Sequence, residues 1–167
     1  MSQQNYFKIN ATIKFIHNFI HGLITYIKKN RLFILFLFSV KVPRNNKFHF
    51  DTTTILLRHS IKKEIKYPCK FLEIGIGYAS LLNIGIAKEL NMLVYGSDIC
   101  SERVMQSNIV ADFNGIKHNY IISNLFENII GKYDYIVFNP PYVPTEIGKK
   151  LEISKKLSLA DNYSWDG

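Results

Sequence analysis

A chain of 167 residues with 47% apolar and 14% aromatic residues can bury one sizeable core and is too apolar to stay disordered. Its longest apolar run, LFILFLF at 32–38, is far short of the ~20 residues that span a bilayer, and no secretory signal is visible, so the expected location is cytoplasmic, with no membrane partner. The net charge of +8 is uneven: residues 1–70 carry 13 Lys/Arg against 2 acids and residues 71–167 carry 8 against 11, a balance that fits contact with RNA, DNA or an acidic partner and equally fits a solvated surface.

In chain order, Ile9, Ile13, Ile16, Ile20, Leu23 and Ile27 recur at 4-3-4-3-4 spacing and predict a basic N-terminal helix, stopped at Asn30. His17 and His21 stand four apart, but no carboxylate or cysteine completes a site, so no metal is expected. Leu32 to Val42 reads as a strand, ended by Pro43 and the polar turn RNNK. Asp51 and Thr52 cap a helix carrying Ile55, Leu56, Leu57 and Ile61, broken by Pro68.

From Lys70 onward short strands alternate with helices. FLEI (71–74) is a strand, Ala79 to Leu90 a helix and MLVYGSD (92–98) a strand. A helix capped by Ser101 follows, running to Asn114 and ending at Gly115, and NYIIS (119–123) and YDYIVFN (133–139) are further strands. Such βαβ units predict an α/β fold: a Rossmann-like, doubly wound, mostly parallel sheet. Residues 1–48 form a basic helix-and-strand extension and 49–167 the α/β domain. Cys69 and Cys100 lack metal-type spacing and are expected to be reduced thiols.

Three stretches carry chemistry. In FLEIGIGYAS, Gly75 and Gly77 let the chain turn sharply at a strand exit, where a ligand can approach the backbone. A dinucleotide fingerprint would need glycine at Ser80, and Glu73 would repel a pyrophosphate. A sulfonium-bearing ligand such as S-adenosylmethionine suits Glu73 better than NAD does; a tight turn with no ligand is the plain alternative. Asp98, at the end of YGSD, can accept both hydroxyls of a ribose or cap the next helix. In SNLFE, Asn124 could meet an adenine edge, while Leu125 and Phe126 could cover its face or belong to the core. In YDYIVFNPPYVP, Asn139 and the Pro140 carbonyl are two acceptors whose direction the prolines fix, and Tyr142 offers a flat stacking face. Together they would grip a planar NH₂ group.

The ordered series FLEIGIG, YGSD, SNLFE and NPPY resembles the class I, Rossmann-like S-adenosylmethionine-dependent methyltransferases with an NPPY motif, over about residues 50 to 145. NPPYVP, SERVMQSNIVADFNG and DTTTILL resemble the HemK/PrmC type, which methylates a glutamine amide of translation termination factors. The resemblance implies S-adenosyl-L-methionine as cofactor, with Glu73, Gly75 and Gly77 around its methionine part, Asp98 at its ribose, and Asn124 with Leu125 at its adenine. It implies Asn139, Pro140 and Tyr142 at the substrate amide. Adenine-N6 methyltransferases of RNA and DNA share NPPY, and for such a substrate the basic N-terminal residues would contact the nucleic acid.

Two departures qualify the resemblance. The family usually has an acid at the position of Asn124, although an amide oxygen can still accept from the adenine amine. The chain also stops at YSWDG with four strands of the parallel core counted, so it is expected to be truncated, with the fourth strand a hydrophobic edge. Three readings follow: a release-factor glutamine N-methyltransferase, an adenine-N6 methyltransferase of rRNA or DNA, and a non-catalytic cofactor- or nucleic-acid-binding remnant.

Overall fold

The computed structural model describes residues 30–140. The helix expected over 9–27, with His17 and His21, and the segment after Pro140, with Tyr142, lie outside the described residues.

The strands β1 (Phe71–Ile74), β2 (Val94–Asp98), β3 (His118–Ile122) and β4 (Tyr135–Phe138) form one parallel sheet in the order β3-β2-β1-β4. This is the α/β Rossmann-like order. The chain winds outward from β1 to β3, then crosses back so that β4 lies on the other side of β1. The reversal places a topological switch point between β1 and β4, where open α/β sheets bind ligands beyond the strand carboxyl ends.

Among the described residues four helices accompany the sheet: α1 (Arg31–Phe38), α2 (Thr52–Glu64), α3 (Leu81–Leu90) and α4 (Ser101–Phe113). Register puts Phe71, Val94, His118 and Tyr135 in one cross-strand row, and Glu73, Gly96, Tyr120 and Val137 in another two residues on. Both rows share one face, since side chains alternate along a strand. Phe71, Val94 and Tyr120 on that face join Ile34, Phe38, Ile84, Ile86 and Val110 in a single buried cluster, so it is the face the helices cover.

The strand expected over 32–42 is instead α1 followed by an extended tail. LFILFLF has no polar residue to mark a period, and burial at four-residue spacing decided the outcome: Ile34 and Phe38 are fully buried, while Leu32 and Phe36 face out. Asn30, expected to end the preceding helix, caps the start of α1 by accepting from the Leu32 N–H at 2.8 Å. Ser39 closes it in the left-handed conformation. Val40 and Val42 then keep a strand's alternation, both buried around an exposed Lys41. In place of a neighbouring strand, the Asn114 side chain satisfies Lys41, accepting from its N–H at 2.9 Å and donating to its carbonyl at 2.7 Å. The turn after Pro43 is held by the Arg31 guanidinium, which donates to the carbonyls of Pro43, Arg44 and Asn46.

The later strands shift by one or two residues: β2 starts at Val94 rather than Met92, β3 covers His118–Ile122 rather than 119–123, and β4 covers Tyr135–Phe138 rather than 133–139. Three helix boundaries also move. α2 carries the expected Asp51 cap, completed by Thr54 into a capping box, but ends at Glu64, before Pro68. α3 begins at Leu81, not Ala79, because Ser80 has a φ of 44°. α4 is preceded by Cys100 as its cap residue, not Ser101; Cys100 makes no side-chain cap bond, and Asp98 accepts its N–H instead.

α1 crosses α3 at Gly85, where a Cβ would lie 2.7 Å from the Phe38 carbonyl oxygen. Gly85→Ala should therefore destabilise the protein by a net ~1–2 kcal/mol, the ~1 kcal/mol gain in helix propensity being outweighed by overpacking. A lowered urea midpoint with unchanged slope would be the measured result.

Candidate functional site

Parallel pairing aligns the strand ends. Ile74 pairs with Ser97 on one side and Phe138 on the other, so the next residues, Gly75, Asp98 and Asn139, emerge at one level. At ordinary strand spacing Asp98 and Asn139 flank the glycine turn, about 10 Å from one another across β1. Glycine at 75 and 77 answers to backbone conformation, with φ of 76° and 64°. A Cβ at Gly75 would touch the Phe138 ring at 3.5 Å, whereas one at Gly77 would meet nothing within 4 Å. The backbone at Gly77 thus faces open space, as a cradle for a close-lying ligand requires.

The loop is clamped. The Ser97 carbonyl accepts from the N–H groups of Gly75 (2.7 Å) and Ile76 (3.1 Å). Asp98 accepts from the Gly77 N–H at 3.0 Å through one oxygen and from the Cys100 N–H at 3.0 Å through the other. Ser107, on α4, donates to the Gly77 carbonyl at 2.7 Å. Asp98 is therefore the brace between the glycine loop and the start of α4. Its two oxygens have further lone pairs, so accepting ribose hydroxyls is compatible with that bracing. Gly96, in the row beneath, is equally constrained: a Cβ there would sit 2.5 Å from the Ile76 side chain and 3.0 Å from the Tyr120 ring.

Glu73 lies deeper than the loop, in the helix-covered row with Tyr120 and Gly96, and is only 7% exposed. Burial pushes its carboxyl up to about 8, against the pull of the Asn83 backbone N–H and side-chain amide and with a smaller push from Asp98. In this structure Glu73 is thus mostly neutral at pH 7, not the standing negative charge its sequence position implies. Its Oε2 is buried with no hydrogen-bond partner. Asn83 also donates to the Tyr95 carbonyl at 2.8 Å and accepts from the Tyr120 hydroxyl at 3.1 Å. Asn83, Tyr120 and Ser107 were not singled out from sequence, because their partners are set only by the packing of α3 and α4 on the sheet.

Asn124 lies in an exposed turn after β3, donating to Glu127 at 2.8 Å, and Leu125 beside it is half-exposed with a φ of 48°. Asn139 is half-buried at the end of β4, with Pro140 directly after it. Its side-chain nitrogen donates to both oxygens of Asp51, at 3.2 and 3.3 Å, and lies 3.4 Å from the Thr54 hydroxyl. The residue that caps α2 thus also grips the asparagine of NPPY, a contact between positions 88 apart that no local pattern announces. Burial alone would raise the Asp51 carboxyl, but bonds from the Thr54 N–H and hydroxyl and from Asn139 more than offset it and hold it below the usual range.

Among the described residues no helix is long and apolar enough to cross a membrane, and no group of three or more His, Cys, Asp and Glu could hold a metal ion. Cys69 and Cys100 are free thiols.

The raised Glu73 pKa has a definite sign. Between the ordinary value of 4.5 and about 8 the folded protein holds a proton the unfolded chain has released, so this residue's contribution is present below 4.5 and is lost as pH rises to about 8. Glu73→Gln should be little different from wild type near pH 5 and more stable at pH 8, by an amount on the order of 4 kcal/mol. Thermal melts at the two pH values measure it.

Residues 46–158 match the family described as methyltransferase small domain. A candidate protein N5-glutamine methyltransferase of Methanocaldococcus jannaschii is 40% identical over 96 residues, which are 58% of this chain and 45% of that protein. A release factor glutamine methyltransferase of Agrobacterium fabrum is 31% identical over 105 residues, 61% of this chain and 35% of that protein. The chain therefore spans less than half the length of these relatives. Among solved structures, a methyltransferase from Pyrococcus furiosus superposes with a TM-score of 0.58 at 22% identity, over 87% of this chain and 72% of the other. With its match across more than half its length and its sheet of this order, the chain belongs to the methyltransferase small domain family.

Proposed function

We propose that this chain is the core of an S-adenosylmethionine-dependent N-methyltransferase acting on a planar NH₂ group, the side-chain amide of a glutamine in a release factor being the preferred substrate. The observation that carries the reading is the placement of Asn139 and Pro140 directly across the switch point from the Gly75–Gly77 loop. Relatives named for glutamine methylation support the substrate class.

The residues fit the cofactor. Gly77 has space for a ligand where a side chain would be, and the orphaned Glu73 Oε2 is a buried acceptor that a nearby positive charge would help to ionise. Gly75 and Gly77 would hold the methionine part, Asp98 the ribose, and Asn124 with Leu125 the adenine. When bound, S-adenosylmethionine supplies an electrophilic methyl group. The protein's part is positional: the Asn139 side-chain oxygen and the Pro140 carbonyl accept the two N–H bonds of the substrate amide, and Tyr142 covers its plane. Fixing both N–H directions aims the nitrogen lone pair along one line, which converts a bimolecular encounter into an oriented one.

The second reading, adenine in RNA or DNA, rests on the excess of basic residues before Lys70. On α2, Arg58, His59, Lys62 and Lys63 line a cavity of about 330 Å³ with Leu37, Phe38 and Ile55, but Glu89 pairs with both Arg58 and Lys62. That pairing weakens the case for a phosphate surface there.

The test is methyl uptake from labelled cofactor by a release-factor domain and, separately, by total RNA. Uptake by the release factor only is the expected result, and Asn139→Ala should lower it by 100-fold or more, at about the scale of losing one oriented polar contact at a reacting group. Uptake by RNA only would favour the adenine reading. Calorimetric cofactor binding without uptake by either would favour a non-catalytic binding protein, and Asp98→Ala should weaken that binding at least tenfold.

A further inference from the structure

We propose that Asp51 is a positioning residue for Asn139: it takes the NH₂ end of the asparagine amide and so dictates that the oxygen end is presented to substrate. The inference rests on the preceding assignment of Asn139 to the substrate amide. An asparagine side chain can sit either way round in a symmetric pocket, and a flipped Asn139 would offer N–H groups to a substrate NH₂, two donors facing two donors. Asp51 removes the choice. An ionised carboxylate is an acceptor only, both of its oxygens lie within 3.3 Å of the Asn139 nitrogen, and the Thr54 hydroxyl lies 3.4 Å from the same atom.

Asp51 is itself immobilised. Its Oδ1 accepts from the Thr54 N–H at 2.7 Å and from the Thr54 hydroxyl at 2.8 Å, while its own N–H is held by that hydroxyl at 3.4 Å. The hydroxyl is thus already committed as a donor to Asp51, which leaves its lone pairs to face the Asn139 N–H. The first turn of α2 therefore works as a rigid acceptor surface behind the asparagine, and a helix cap becomes the part that sets the polarity of the substrate grip.

Asp51→Ser separates the two roles. Serine caps a helix about as well as aspartate but is too short to reach Asn139. The expected results are a melting temperature within a few degrees of wild type, a cofactor Kd within twofold, and a kcat for methyl transfer lowered at least tenfold. Asp51→Asn, which keeps an acceptor oxygen but no longer enforces it, should fall between the two. In ¹⁵N–¹H spectra, the two Asn139 side-chain NH₂ signals, assigned by Asn139→Ala, should be well separated in wild type and draw together in Asp51→Ser. An unchanged kcat, or unchanged NH₂ signals, in Asp51→Ser overturns the inference; if that variant does not fold, the same two outcomes in Asp51→Asn decide it. If wild type methylates neither substrate, the catalytic assignment fails and this role falls with it, while the NH₂ signals still report whether the Asp51–Asn139 contact exists.

Discussion

The hydrogen bonding of β1 on both edges is the constraint on which the candidate site depends. A central strand with a fully paired register cannot slide by one residue without turning Phe71 and Glu73 to the opposite face and pulling Phe71 out of the helix-covered core. Because that slip is so costly, the heights of Gly75, Asp98 and Asn139 are fixed relative to one another by the core rather than by the loops that carry them. The loops then need only local ties: the Ser97 carbonyl, the Asp98 carboxylate and the Ser107 hydroxyl account for the path of the chain from Gly75 to Gly77.

The buried polar row beneath the loop shows how the protein holds a carboxyl group where none is comfortable. Glu73, Asn83 and Tyr120 sit between sheet and helices, where an unpaired charge would be costly. Protonation relieves the cost in the state described. The acid that sequence reading places as a fixed negative charge is therefore better regarded as a latent one, ionised to the extent that a neighbouring cation favours it.

The strands and the glycine loop were legible because each is marked locally: FLEI, VYGSD and YIVF are short runs of strand-forming residues bounded by turn residues, and Gly75 and Gly77 adopt the positive φ expected of them. LFILFLF reads as a strand because an unbroken apolar run has the same appearance in a strand and in a buried helix, and only docking on α3 at Gly85 distinguishes them. Ser101 reads as the cap of α4 by residue type, yet Cys100 holds the cap position and its own N–H is taken by Asp98. Asp51 reads from sequence as a helix cap and as the first residue of the DTTTILL resemblance, with no tie to Asn139. Its second partner is far away in the chain, and a hydrogen bond of that range leaves no signature in composition or spacing.

That long contact divides the site by its connectivity. The parts proposed to hold the cofactor, from Glu73 to Leu125 with Ser107 behind the loop, come from one continuous βαβαβ stretch, and the side-chain ties of its glycine loop span 30 positions or fewer. Asn139, proposed for the substrate grip, is instead tied to the first turn of α2 by a contact that closes a loop of 88 positions. Loops of that length close late, after the local units have formed. The proposed methyl-donor end of the site is closed by shorter loops than the proposed acceptor end, which depends on the long tie from Asp51 to Asn139.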